Sequence, residues 1–278
     1  MNAIAYMDNA RLAAPSPVEA WSEAGFGPGK RYGSFGRLMR ALREKIARQM
    51  DEISRMSRLK RYIAPQIAEA ILKGEEGLLF KSHRREITVV FLDLRGFTAF
   101  TESAEPEDVL EMLKIYHAEM GRLIVESDGT LERFAGDGIM VFFNDPVAYE
   151  DHIERAVAMT LKMRDRMKEL CAGWRKKGWE LDLGVGLAAG YAALGNIGFA
   201  GRMDYSAVGN VTNLASRLCD EAKGGQILTN QKTLGAIERR VEAEPIGELN
   251  LKGFARSVSA FNITRLRKTA AASAERAS

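Results

Sequence analysis

After Arg85 the amino-acid sequence alternates between short apolar runs and long amphipathic stretches, and that order constrains the fold more than any other feature. Ile87 to Leu92 is a β-branched apolar run suited to a central strand. Pro106 opens an amphipathic helix to about Ser127, with Val109, Met112, Leu113, Tyr116, Met120 and Ile124 on one face. Two strands follow, Thr130 to Phe134 and Ile139 to Phe143, joined by Ala135-Gly136-Asp137-Gly138, whose glycines suit a tight hairpin. A helix from about Tyr149 to Trp174 and a strand from Leu181 to Ala189 complete the order β-α-β-β-α-β, the split βαβ sandwich of the α+β class. Beyond a Gly-rich excursion, the pattern predicts a helix from Asn210 to Glu221 and strands near Ile227, Ile246 to Leu251 and Val258 to Ile263.

Upstream the character changes. Residues 1–33 carry Pro15, Pro17 and Pro28 without a sustained apolar period and read as a mobile leader. From Ser34, Met39, Leu42, Ile46, Gln49, Ile53 and Met56 step by three and four, the seam of a dimerising coiled coil, with Arg and Lys filling most positions between. The alternative is a surface helix lying on its own domain. A short helix from Pro65 to Ile71 follows, and Gly74 and Gly77 close the connector, so that 34–80 forms a helical dimerisation and signalling segment. The catalytic domain is expected over 84–265 and a frayed tail over 266–278.

Composition excludes several classes of protein. A net charge of +3, from 40 Lys and Arg against 37 Asp and Glu, argues against a nucleic-acid binder or a polybasic membrane protein. Two isolated cysteines, Cys171 and Cys219, exclude a disulfide framework and a thiolate metal cluster, and fit a reducing cytoplasm. Neither a signal sequence nor a run of the ~20 apolar residues that a bilayer span requires is evident, so a soluble cytoplasmic protein is expected. His83, His117 and His152 share no metal-ligand spacing and read as surface or helix-face residues.

Asp93 ends the first apolar strand, and Asp137 sits in a hairpin turn that this topology brings beside that strand end. Two converging carboxylates suit hard divalent cations, which leave positions for water and phosphate oxygens. The segments Phe91-Leu-Asp-Leu-Arg-Gly-Phe-Thr98, Phe134-Ala-Gly-Asp-Gly-Ile-Met-Val-Phe-Phe143 and Val208-Gly-Asn-Val-Thr-Asn-Leu-Ala-Ser-Arg-Leu218 closely resemble the catalytic domain of class III adenylyl and guanylyl cyclases. The resemblance covers Arg84 to Arg265, and Leu59 to Ile71 looks like the connector that precedes bacterial members. It implies a ferredoxin-like split βαβ palm sandwich and a homodimer acting on ATP with two Mg²⁺ or Mn²⁺ ions. It also implies that Asp93, Asp137 and the Leu94 carbonyl hold metal. Gly96, Phe97 and Thr98 would offer backbone amides to phosphate, Asn213 would orient the ribose, Arg217 would stabilise charge on the α-phosphoryl group, and Lys252 would meet the terminal phosphates.

Base choice in the resembling family rests largely on two positions, occupied here by Arg133 and Ser206. Adenyl-specific members usually have Lys at the first and guanylyl members Glu, whereas Arg133 departs from both. A guanidinium only donates, so it suits adenine N1 and cannot accept from guanine N1–H. Ser206 places the chain in the subgroup with Ser or Thr at the adenine-binding position, and a free hydroxyl discriminates poorly because it both donates and accepts. The expected activity is adenylate cyclase. A guanylate cyclase and a catalytically silent nucleotide-binding dimerisation module are the alternatives, and a diguanylate cyclase lacks its Gly-Gly-Asp/Glu-Glu/Asp-Phe turn here.

Overall fold

The computed structural model describes residues 34–59, 63–74, 81–199 and 201–267. The expected leader and the tail beyond Arg267 lie outside the described residues. The chain divides between Ile63 and Ala64 into two compact units. Among the described residues the first contains one 26-residue helix, α1 (Ser34–Leu59). Leu42, Ile46, Met50 and Ile53, spaced by four, four and three, are all exposed along it.

The second unit runs α2 (Pro65–Leu72), β1 (His83–Arg95), α3 (Phe97–Ser103), α4 (Pro106–Glu126), β2 (Thr130–Ala135), β3 (Gly138–Phe143), α5 (His152–Arg175), β4 (Asp182–Phe199), β5 (Arg202–Val208), α6 (Asn210–Glu221), β6 (Ile227–Asn230), α7 (Gln231–Ile237), β7 (Val241–Leu249) and β8 (Val258–Leu266). The strands form one sheet in the order β2-β3-β1-β4-β6-β8-β7, with β5 paired to β4. Strands β1 to β4, with α4 and α5 between them, are the expected β-α-β-β-α-β unit, and the class is α+β. No helix among the described residues is long and apolar enough to cross a membrane.

The two faces of β1 bury different cores, because side chains along a strand alternate. Val90, Leu92 and Leu94 enter the larger core with Met112, Tyr116 and Met120 of α4 and Val157, Met163 and Met167 of α5. Ile87 and Val89 enter a second core with Ile67 and Ala70 of α2 and Val211 and Ala215 of α6. Gly184, Gly186, Ala188 and Gly190 of β4 lie opposite Asp93, Phe91, Val89 and Ile87 in register. Under α6 the sheet therefore presents small residues, while the intervening Leu183, Val185 and Leu187 fill the other core. Gly186 shows the consequence: a Cβ there would stand 2.1 Å from the Ala215 carbonyl oxygen and 2.2 Å from the Cys219 amide nitrogen. α6 lies directly on the strand backbone.

Several expectations need correction. The Gly-rich excursion is not a loop: β4 continues to Phe199 and pairs with β5 from Ala193↔Val208 to Phe199↔Arg202. Tyr191, Ile197, Phe199, Met203 and Val208 are exposed on this hairpin. The strand expected at Ile246 to Leu251 begins earlier, at Val241, and ends at Leu249. Among the histidines, His152 is buried, and its Nδ1 lies 2.7 Å from the Thr88 hydroxyl. The His83 Nε2 lies 2.8 Å from Asp145 Oδ2. That carboxylate, itself buried, also accepts from Tyr205 and meets Arg85 Nη1 at 3.2 Å.

Candidate active site

Asp93 is an odd-numbered residue of β1, so it shares the face of Ile87 and Val89, the side covered by α6. The turn between β2 and β3 brings Asp137 alongside, where its Oδ2 accepts from the Leu94 N–H at 3.1 Å. The Asp93 carboxyl is pushed up to about 6, first by burial and then by the negative charge of Asp137. Arg95 opposes the shift from 3.3 Å, and Asp220 adds to it. Two such carboxylates resist carrying full charge together until a cation joins them. Their oxygen-only donors suit a hard divalent ion, which takes its remaining ligands from backbone, water or phosphate. No group of three or more His, Cys, Asp or Glu residues gathers for a metal among the described residues.

Gly96 follows at the N-cap of α3 with φ +82°. Apart from the expected approach of phosphate to its amide, the geometry requires glycine here on its own account. A Cβ would stand 2.3 Å from the Glu180 carbonyl oxygen, so the left-handed backbone and the adjoining loop already require glycine. Phe97 and Thr98 occupy the first turn of α3, with Phe97 half-buried and Thr98 exposed.

On α6, Asn213 and Arg217 lie one turn apart, Asn213 exposed and the Arg217 side chain 39% exposed. Arg217 Nη1 bonds Asp220 Oδ2 at 2.7 Å. The same helix end is tied to the carboxylate pair, since Arg95 Nη2 donates to the Cys219 carbonyl at 2.7 Å while Nη1 faces Asp93. Lys252 is exposed in the turn between β7 and β8, with buried Leu251 beside it, and has no ion pair among the described residues.

Arg133 and Ser206, far apart in sequence, come together through a third residue. Arg133 extends into solvent and donates from Nη2 to Glu132 Oε1 at 2.9 Å. The Ser206 hydroxyl donates to that same oxygen. The Glu132 side chain is only 2% exposed.

A sequence model of the adenylate and guanylate cyclase catalytic domain matches residues 80–265. The chain belongs to this family. Among curated cyclases, adenylate cyclase 1 of Rhizobium meliloti (strain 1021) is 29% identical over 201 residues, which cover 70% of this chain and 30% of that protein. The adenylate cyclase of Anabaena cylindrica is 29% identical over 177 residues, covering 63% of this chain and 34% of that one. The chain thus spans about a third of the length of these curated relatives. Among solved structures, the adenylyl cyclase CyaB from P. aeruginosa superposes with a TM-score of 0.66 at 35% identity, over 68% of this chain and 98% of that one. The guanylyl cyclase Cya2 superposes with a TM-score of 0.63 at 33% identity, over 68% and 96%.

Within this cyclase domain, sequence reasoning missed four contributors to the site. Glu132 is the extra residue of a bulge, as the β2–β3 register shifts between Leu131 and Arg133. Arg95 and Asp220 join the carboxylate pair to α6. His117 of α4 sits 2.9 Å from the Gly136 carbonyl and stacks on Phe134 at 4.3 Å, supporting the turn that carries Asp137. Burial lowers the pKa of its imidazole. Of these, only the Arg95 position, two residues after Asp93, carries a local signal.

Proposed function

We propose that the domain is an adenylate cyclase, converting ATP into 3′,5′-cyclic AMP and pyrophosphate in intracellular signalling, at two equivalent sites of a homodimer. The observation that carries this reading is the convergence of Asp93 and Asp137, two mutually repelling carboxylates at a strand end and an adjoining turn. The reaction forms a bond between the ribose O3′ and the α-phosphorus, breaks the bond to the pyrophosphate oxygen, and releases the 3′-hydroxyl proton. Asp93, Asp137 and the Leu94 carbonyl would hold two Mg²⁺ or Mn²⁺ ions, which would supply Lewis acidity to that hydroxyl and charge neutralisation to the phosphates.

The chain's own residues do the rest. Asn213 orients the ribose. Arg217, a permanent cation with several planar donors, exchanges Asp220 for the charge that develops on the α-phosphoryl group. Lys252 and the Gly96, Phe97 and Thr98 amides hold the terminal phosphates. Arg133 donates to adenine N1 and Ser206 meets the 6-amino group. The uncovered apolar residues of α1 and of the β4–β5 hairpin support a dimer, with α1 pairs forming a coiled coil that sets subunit orientation. The likeness to guanylyl cyclase Cya2 keeps GTP as the second reading.

The test is to incubate the purified chain with ATP and with GTP, under Mg²⁺ and then Mn²⁺, and to identify products by chromatography. Cyclic AMP that disappears in Asp93→Ala is expected. Dominant cyclic GMP overturns the base assignment, and the absence of any cyclic product points to a silent module.

A further inference from the structure

Glu132 stands between the two residues assigned to the base, and its environment is unusual for a carboxylate. The bulge in β2 turns its side chain into the domain toward β5, where it is 2% exposed. Oε1 accepts from both the Arg133 guanidinium and the Ser206 hydroxyl. Oε2 is buried and has no hydrogen-bond partner among the described residues. The Ser206 hydroxyl is the donor in this bond, so its proton points at Glu132. The lone pairs are then all that the Ser206 oxygen has left for a ligand.

We propose that Glu132 is a positioning residue for purine selectivity, one that fixes the Ser206 hydroxyl as an acceptor beside the donor Arg133. The inference rests on the adenylate cyclase reading and deepens it. A donor next to an acceptor complements adenine, which presents an acceptor at N1 and a donor at its 6-amino group. Guanine presents the reverse, a donor at N1 and an acceptor at O6, and mismatches both positions. Without Glu132 the hydroxyl turns freely and serves either purine. With it, a residue that discriminates poorly becomes one that selects.

The experiment compares kcat/KM for ATP and GTP in the full-length protein and in Glu132→Leu, Ser206→Ala and the double variant, with thermal melting as a check on folding. Leucine fills a similar volume and has no acceptor, so the Ser206 hydroxyl loses the partner that fixes its proton. The ATP-to-GTP ratio is expected to fall by about 10- to 100-fold in Glu132→Leu, the size of one buried donor–acceptor mismatch. Ser206→Ala should lower the ratio comparably, and adding Glu132→Leu to it should lower the ratio no further. A ratio unchanged in Glu132→Leu, with both activities reduced alike, leaves Glu132 a purely structural residue and overturns the proposal. So does a selective loss of GTP turnover in that variant, which makes Glu132 itself a guanine reader. Should Glu132→Leu fail to fold, an unchanged ratio in Ser206→Ala overturns the proposal by itself. A wild-type preference for GTP sinks the adenylate cyclase reading instead, whatever the variants do.

Discussion

Replacing Gly186 by Ala adds one methyl group at the place where α6 touches the sheet. The new Cβ would lie 2.1 Å from the Ala215 carbonyl oxygen, against the 3.4 Å at which ordinary contact begins, a deficit of about 1.3 Å. Neither partner can rotate away, since Ala215 O and Cys219 N are backbone atoms inside the helix. α6 must lift or β4 must bend. Overpacking a filled core costs about 1–3 kcal/mol, and rigid backbone on both sides places this case near 3 kcal/mol. The functional loss is expected to be larger than the stability loss suggests, because α6 carries Asn213 and Arg217. Displacing catalytic groups by about 1 Å reduces turnover ~100-fold. Urea denaturation and kcat/KM for cyclic product measure the two effects separately. Gly121→Ala is the control: it lies in the middle of α4 with nothing within 4 Å of its Cβ, and should stabilise by up to about 1 kcal/mol. If Gly186→Ala matches wild type in both urea midpoint and turnover, α6 does not rest on β4 as described.

Three further outcomes follow from the same geometry. Asp93 has its pKa raised in the folded state, so its contribution to stability is present below about pH 4 and lost as pH rises through about 6. Metal-free protein should lose thermal stability across that window, and Asp137→Asn should flatten the slope, as differential scanning calorimetry can show. Asp145→Ala leaves Tyr205, Arg85 and His83 without their shared partner and should cost about 3–5 kcal/mol in urea unfolding, with Tyr205→Phe costing about 1–2 kcal/mol. Mixing inactive Asp93→Ala with inactive Arg217→Ala should restore up to about a quarter of wild-type turnover by random exchange of subunits into dimers. No recovery would show that each site is built within one chain.

What the sequence made legible was local and periodic. Asp93 could be placed at a strand end because Ile87 to Leu92 admits little besides a buried strand, and Asp137 because glycines bracket it in a turn. Asn213 and Arg217 share a helix face by spacing alone. The illegible parts depend on pairings distant in the chain. The β4–β5 hairpin was hidden because Gly190, Gly195 and Gly198 read as loop residues, while their positions lie in a paired strand. His152 resembled a helix-face residue because its partner Thr88 lies 64 residues away. Glu132 gave no signal because a bulge inserts it out of the strand's alternation, and its partner Ser206 lies 74 residues distant.

The composition of β4 connects the fold to the site. A strand alternating Gly184, Gly186, Ala188 and Gly190 with Leu183, Val185 and Leu187 is too weak in β-propensity to be chosen for its own sake. Its large residues secure the core beneath α4 and α5, and its small ones let a helix approach to backbone contact on the opposite face. That face is where Asp93 points, by the alternation of β1. The close approach allows Arg95 to reach the Cys219 carbonyl and Asp93 together, and brings Asp220 near enough to act on the Asp93 carboxyl. With bulky residues at the small positions, α6 would stand farther from the sheet and Arg95 could not span both contacts. The glycines that obscured this part of the chain in the sequence are therefore what brings the helix of Asn213 and Arg217 down onto the strand that carries Asp93.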